Sequence, residues 1–270
     1  MRNSISHIMK WCLILSGTLC LFVGGAYSSD TADNAQSVDE IRYPDDRWGK
    51  IFLNEIKAGP RLLYGVTFDV AKPPVNSSDE TKQELAFLQE LAKSNRDDDT
   101  LSRIYYENSE ATIHGAFIKE GLLSQDNEIL FELMNTVYKE HGYFILERKK
   151  YFSRPRPTQL DKKLVTVIDN PMHAAYPSGH ASQSYMMALI LSDFDPEHAE
   201  VYKRFAIDIA HRREIAGVHY PSDSVAGREL AIDVFEKLKS VPEFATRYEA
   251  VKESFVTVDF SKAANTTVDE

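Results

Sequence analysis

Lys149, Arg156, Ser178, Gly179, His180, Arg213, His219 and Asp223 fall in three short segments of this 270-residue chain. Cations, two histidines and a carboxylate in one place suit the holding of a tetrahedral anion and the breaking of a bond to it. In the first segment Lys149 is followed six residues later by Arg156-Pro157. An Arg fork and a Lys point charge can converge there on one anion. In the second, Pro177-Ser178-Gly179-His180 stands where a helix begins. Unpaired first-turn NH groups make an anion site, Gly179 lets the backbone come close, and the Ser178 hydroxyl adds a donor. In the third, Arg213 precedes His219 by six positions and Asp223 follows four later. If Pro221 opens a helix, Asp223 lies one turn beyond His219 and accepts from one imidazole nitrogen, which leaves the other free as a nucleophile.

Each segment alone also has an ordinary explanation. Lys and Arg near a helix C-terminus favour the helix dipole. A Ser before a helix is a common N-cap, and a His-Asp hydrogen bond at a helix start needs no chemistry to account for it. The functional reading rests on the three occurring together.

The elements that must position these residues read as helices. Ser78 caps a helix with Leu85, Leu88 and Leu91 or Ala92 on one face, ending near Asn95. A second starts near Asp97 or Asp99 and carries Leu101, Ile104 and Tyr105. After an expected loop around Gly115 to Gly121, the longest helix starts at Ser124 or Asp126. Its apolar face runs through Ile129, Leu130, Leu133, Met134, Val137, Tyr138, Phe144 and Ile145, a breadth that marks it as central. Pro155 and Pro157 end it by Ser153, so Lys149 sits in its last turns. Further helices follow from Ser178, Pro196, Pro221 and Pro242. No stretch alternates as a strand does, and the expected class is all-α, as a single-domain helical bundle.

The expected organisation is an export signal over 1–28, a flexible acidic arm over 29–47, the helical domain over 48–258 and a disordered tail over 259–270. The signal has Arg2 and Lys10, then an apolar run from Trp11 to Val23, then small residues to Ser28. The run is broken by Ser16, Gly17 and Thr18 and falls short of the roughly 20 residues of a spanning helix, so no stable membrane anchor is expected after cleavage. Both cysteines, Cys12 and Cys20, lie inside it, so the processed chain forms no disulfide. The expected location is periplasmic or secreted. A formal charge of -10 argues against a nucleic-acid backbone as partner and confines any anion site to a local basic pocket. His114, His141, His173, His198 and His211 lack metal-ligand spacing, so no metal and no cofactor are expected. His173 stands out among them because it precedes the Ser178 turn. Tyr151, Tyr176 and Tyr220 are candidates for the pocket mouth.

Taken in order, Lys149-x6-Arg156-Pro157, Pro177-Ser178-Gly179-His180 and Arg213-x5-His219-x3-Asp223 resemble the three-part signature of the phosphatidic acid phosphatase type 2 superfamily. That superfamily shares its helical bundle with the vanadium haloperoxidases. With the export signal and length, the chain is most similar to the bacterial class A nonspecific acid phosphatases. The resemblance implies metal-independent phosphoryl transfer in two steps. His219 attacks phosphorus, Asp223 orients it, and His180 protonates the leaving oxygen and then activates water. Lys149, Arg156, Ser178, Gly179 and Arg213 hold the phosphate oxygens. The expected partners are small phosphomonoesters and inorganic phosphate, with vanadate as a mimic, and the resemblance is compatible with a homo-oligomer. One departure is visible: Arg212 stands where the family usually has Ser. Three other readings compete, namely a vanadium-dependent haloperoxidase, a lipid or polyprenyl pyrophosphate phosphatase, and a non-catalytic phosphate-binding protein.

Overall fold

A computed structural model describes residues 37–109 and 113–260 of the chain. The signal expected over 1–28, the arm up to residue 36 and the tail from 261 lie outside the described residues. Among the described residues there are ten α-helices and no strand: α1 (Lys50–Ala58), α2 (Asp79–Ser94), α3 (Asp98–Ser109), α4 (Ile113–Lys119), α5 (Glu128–Phe152), α6 (Pro157–Leu160), α7 (Gly179–Phe194), α8 (Ala199–Ile215), α9 (Pro221–Lys239) and α10 (Pro242–Glu253).

The helix ends follow local chemistry. The Ser78 hydroxyl accepts from Thr81 N at the start of α2, and proline occupies the first turn of α6, α9 and α10. α5 stops because Ser153 turns into the left-handed region at φ 50° ahead of Pro155. That conformation is held by Tyr43, whose NH donates to Ser153 O at 2.9 Å and whose carbonyl accepts from Ser153 Oγ at 3.2 Å.

The centre of the bundle is α7, not α5. α7 packs against α4, α5, α8 and α9. Its buried residues alternate small and large, with Ala181, Ser182, Ser184 and Ala188 among Met186, Met187, Ile190 and Leu191. The small ones admit neighbouring helices on several sides, and a helix without a polar face belongs in the middle. α5 buries Leu130, Leu133, Met134, Val137, Phe144 and Ile145 but keeps a polar outer face, and Ile129 is exposed on it. Each fully buried Leu or Met contributes about 1.5–3 kcal/mol relative to exposure.

Two further expectations change. The segment around Gly115 to Gly121 is not a loop throughout, because α4 occupies most of it with Ala116 and Phe117 buried. The arm is docked in its described part. Asp39 accepts from Ser77 N and Ser77 Oγ, both at 2.8 Å, and Asn76 Nδ2 donates to Val38 O at 2.8 Å. Tyr43 and Trp48 are buried with Leu146 and Ala174 in a small core of their own. That core seats α1 against α5, beside the site. Another cluster, with Leu88, Leu91, Ile104, Val218 and Tyr220, joins α2 and α3 to the segment that carries His219.

Candidate active site

Four helix ends meet at a cleft of ≈ 540 Å³. Lys149, Gly179, His180, Arg213 and His219 line it, while Arg156, Ser178 and Asp223 stand behind these residues. The structure therefore brings all three segments to one place.

His219 and Asp223 are set by the turn between α8 and α9. Gly217, at φ +79°, reverses the chain after α8, as a C-terminal glycine does. α9 then starts at Pro221, and Asp223 in its first turn accepts from Tyr220 N at 3.1 Å and from His219 Nδ1 at 2.9 Å, both on Oδ2. A carboxylate only accepts, so Nδ1 carries the ring proton and Nε2 holds the lone pair. Nε2 lies 3.0 Å from Arg156 Nη1, which donates to it. Burial, then the charges of Arg156 and Lys149, hold the His219 pKa well below the ordinary imidazole range, which keeps the ring neutral and nucleophilic.

The cations are buried and differ in how many donors they have spent. Lys149 Nζ donates to Ala174 O and Ala175 O, both at 2.9 Å. Burial, then Arg156, pulls its pKa well down. Arg156 donates to His173 O through Nε at 3.1 Å and Nη2 at 2.9 Å, and to Val218 O at 2.7 Å. Burial brings its pKa to about 10. Arg213, also brought to about 10 by burial, makes only long contacts of 3.3 and 3.4 Å to Asn108 Oδ1, and its Nε has no partner among the described residues. Arg213 is thus the cation with most donor capacity left for an anion.

Ser178 caps α7, its Oγ accepting from Ala181 N at 3.4 Å, and its own NH donates to Asp223 O at 2.9 Å. Its hydroxyl proton is left to donate elsewhere. Gly179 follows with its NH in the first turn. A Cβ there would meet only Ile145, at 3.8 Å, so close backbone approach by an anion is unhindered on that side. His180 Nε2 lies 3.3 Å from Glu107 O. Burial, then Arg213, lowers the His180 pKa well below its ordinary value.

Several residues at the site carried little signal in the sequence. Arg154, buried, donates through Nη1 to Asp223 Oδ1 at 2.6 Å and to Ser222 Oγ at 2.8 Å, and through Nη2 to Glu84 Oε2 at 2.8 Å. Its guanidinium lies 3.8 Å over the Tyr220 ring. Glu84 also accepts from Ser222 N at 2.7 Å, so α2 fastens the start of α9. The repeated Arg-Pro of 154–157 was the only hint. His173 joins the site, with Nδ1 3.0 Å from Arg156 Nη2. The three tyrosines do not line the cleft. Tyr151 is on the surface, Tyr176 donates to Ala71 O at 2.6 Å, and Tyr220 is enclosed under Arg154. The outer cleft is instead Phe52, Ile145, Leu146 and Met172, with Glu55 and Asp169.

Comparison with known proteins is consistent with this geometry. Residues 133–235 match the model of the PAP2 superfamily. Over 134 residues the chain is 30% identical to a non-specific acid phosphatase of Salmonella typhi, covering 48% of this chain and 54% of that one. Against a non-specific acid phosphatase of Salmonella typhimurium it is 28% identical over 134 residues, with the same coverage of 48% and 54%. The chain thus spans about half the length of these curated relatives. A bacterial vanadium-dependent iodoperoxidase superposes with a TM-score of 0.52 at 12% identity, over 70% of this chain and 53% of that one, which shows a shared helical fold.

Proposed function

We propose that this chain, whose residues 133–235 match the model of the PAP2 superfamily, is an acid phosphatase that hydrolyses small phosphomonoesters through a phosphohistidine. The observation that carries the reading is His219: one nitrogen is tied to Asp223 at 2.9 Å, and the ring lines a cleft walled by buried cations. Simple anion capture needs no nucleophile held in one tautomer.

In the first step Arg156 Nη1 passes from His219 Nε2 to a phosphate oxygen, the freed Nε2 lone pair attacks phosphorus and the bond to the ester oxygen breaks. The leaving oxygen takes a proton from His180. His219, still protonated at Nδ1, becomes cationic opposite Asp223. In the second step water attacks phosphorus, gives a proton to His180, and the P–N bond breaks to release phosphate. Arg213, Lys149, Arg156, the Ser178 hydroxyl and the Gly179 NH hold the equatorial oxygens, where charge accumulates in the transition state. Side chains and the Gly179 NH supply every role, so the reaction proposed requires no metal.

The same cations make the pH dependence. In the free cleft, burial and Arg213 hold His180 neutral. A phosphate dianion offsets those charges and favours the protonated ring, and lower pH assists it. An optimum on the acid side of neutrality follows. Export, read from residues 1–28, belongs to the same proposal.

Hydrolysis of nitrophenyl phosphate with chelator present, alongside His219→Ala and alkaline-quench trapping of labelled phosphate, tests the reading. Turnover and trapped phosphoenzyme are expected in the parent and neither in the variant. Tight phosphate binding without turnover between pH 4 and 8 would establish a binding protein instead. Halide oxidation that requires vanadate and peroxide would establish a haloperoxidase.

A further inference from the structure

Arg212 and Arg213 are successive residues of α8, and they grip Glu107 and Asn108, successive residues at the end of α3. Arg212 Nε donates to Glu107 Oε1 at 2.8 Å and Oε2 at 3.1 Å. Arg212 Nη2 also stands 2.6 Å from Oε1, but without the angle of a hydrogen bond, so Nε makes the directed contacts and Nη2 adds charge. Both side chains are largely removed from solvent. Burial raises the Glu107 pKa, and the Arg212 contact opposes it. The main chain of the same residue faces the reaction: Glu107 O is the oxygen 3.3 Å from His180 Nε2.

The C-terminal end of a helix carries partial negative charge, concentrated on its carbonyls. Docking α3 here turns the carbonyl of Glu107, in its last turn, toward His180. We infer that Arg212 is a positioning residue: through Glu107 it holds the α3 terminus against His180, so that this histidine keeps its proton on Nε2 and exchanges the catalytic one at Nδ1. The inference rests on the phosphatase reading above for what His180 does, but not for the tautomer itself.

The chemistry is constrained by the carbonyl, which can only accept. Nε2 is therefore protonated in the neutral ring, and Nδ1 is the nitrogen that gains a proton on ionisation. In the first step the proton on Nδ1 passes to the leaving oxygen as its bond to phosphorus breaks. In the second step Nδ1 takes the proton of the attacking water. Nε2–H remains on Glu107 O throughout. The other charges that act on His180 are Arg213 on α8, Lys149 on α5 and Arg156 before α6, and all of them disfavour its cationic form, while His219 before α9 faces it as a neutral ring. The α3 carbonyl acts in the opposite sense, and that gives a pair outside the cleft a route to the reaction.

The test is Arg212→Gln and Glu107→Gln, the latter close to the parent in shape, together with the double exchange Glu107→Arg with Arg212→Glu. A good leaving group such as nitrophenolate needs little protonation, whereas an alkoxide needs it fully. Both single variants are expected to lose on the order of tenfold more kcat on an alkyl phosphate than on nitrophenyl phosphate. The basic limb of the alkyl phosphate profile should fall by about half a pH unit, because a weaker carbonyl contact lowers the His180 pKa in the complex. The double exchange should recover part of both effects. Nitrogen-15 NMR of the parent with inorganic phosphate should show His180 protonated at Nε2, with that signature weakened in the variants. Equal losses on both esters with an unmoved basic limb, or a His180 protonated at Nδ1 alone, would overturn the inference. A parent that cleaves neither ester would instead sink the phosphatase reading, and the NMR measurement would still decide the positioning.

Discussion

Arg154 and His219 hold opposite oxygens of one carboxylate: Arg154 Nη1 is 2.6 Å from Asp223 Oδ1, and His219 Nδ1 is 2.9 Å from Asp223 Oδ2. The carboxylate that orients the proposed nucleophile is thus itself clamped, and the clamp extends through Glu84 to α2. Burial disfavours the charged guanidinium, but Asp223 and Glu84 outweigh it and leave the Arg154 pKa raised. Arg154→Met leaves two buried carboxylates without their cation and is expected to cost about 3–5 kcal/mol. Arg154→Lys keeps the charge but not the fork that spans Asp223, Ser222 and Glu84. It should fold, with kcat reduced roughly 10- to 100-fold, read from urea unfolding and steady-state kinetics. A Lys variant with unaltered kcat would separate the clamp from catalysis.

Gly227 lets α9 cross the start of α7. A Cβ at this position would lie 2.6 Å from Ser178 O and 3.2 Å from Ser182 N, both backbone atoms that cannot step aside. Gly227→Ala is expected to destabilise the protein by about 1–3 kcal/mol. It should also weaken phosphate inhibition, because the α7 terminus bearing Ser178 and Gly179 must shift. Gly142→Ala is the control for stability, since nothing lies within 4 Å of its added Cβ. Thermal melting and the inhibition constant for phosphate check both effects.

His141 is enclosed between α5 and α7, with Nε2 2.7 Å from Ser182 Oγ, and burial pushes its pKa down to about 3. In the unfolded chain the ring titrates near 6.5. As pH falls below about 6.5 the unfolded state takes up the proton first, so the stabilisation present above that value is lost progressively toward pH 3. At pH 4.5 the loss from this one group is roughly 2–3 kcal/mol. His173, His180 and His219 are shifted in the same direction and add to it. His141→Gln, which can still bond Ser182, should shrink the difference in unfolding free energy between pH 7 and 4.5. An unchanged difference would exclude His141 as a source.

Glu55 and Asp169 stand exposed at the outer cleft, and neither is in an ion pair among the described residues. Esters whose leaving group carries a further negative charge should therefore show higher KM than neutral ones of similar size. Glu55→Gln with Asp169→Asn should narrow that gap about 2- to 5-fold at low salt, and less at high salt. Partial desolvation by the cleft wall raises the Glu55 pKa, so its share of the discrimination is present at neutral pH and fades as the medium becomes acid. KM for paired neutral and anionic esters at two pH values and two ionic strengths measures this.

How far the sequence could be read depended on whether an arrangement was local. The Ser178 cap, the Pro155 stop after α5 and the reach from His219 to Asp223 each span a helical turn or less, and each left a recognisable spacing. The rank of the helices did not. α5 has the longer apolar face, yet α7 is central because its small residues let neighbours approach, a property of packing rather than of period. α4 was hidden for the same reason: its seven residues, too few to show a period, are held by burial of Ala116 and Phe117.

Within the site, the sequence by itself determined which residue types converge and which helix ends carry them. Tertiary structure alone decided the division of labour between Arg154 and Arg156, which sit two positions apart and each precede a proline. One reaches Glu84, 70 residues away, and Asp223, while the other reaches Val218 and His219. Likewise Arg212 meets Glu107 across 105 positions. Contacts so distant along the chain form only when the folded bundle closes over them, so they impose no period or spacing that a sequence can display.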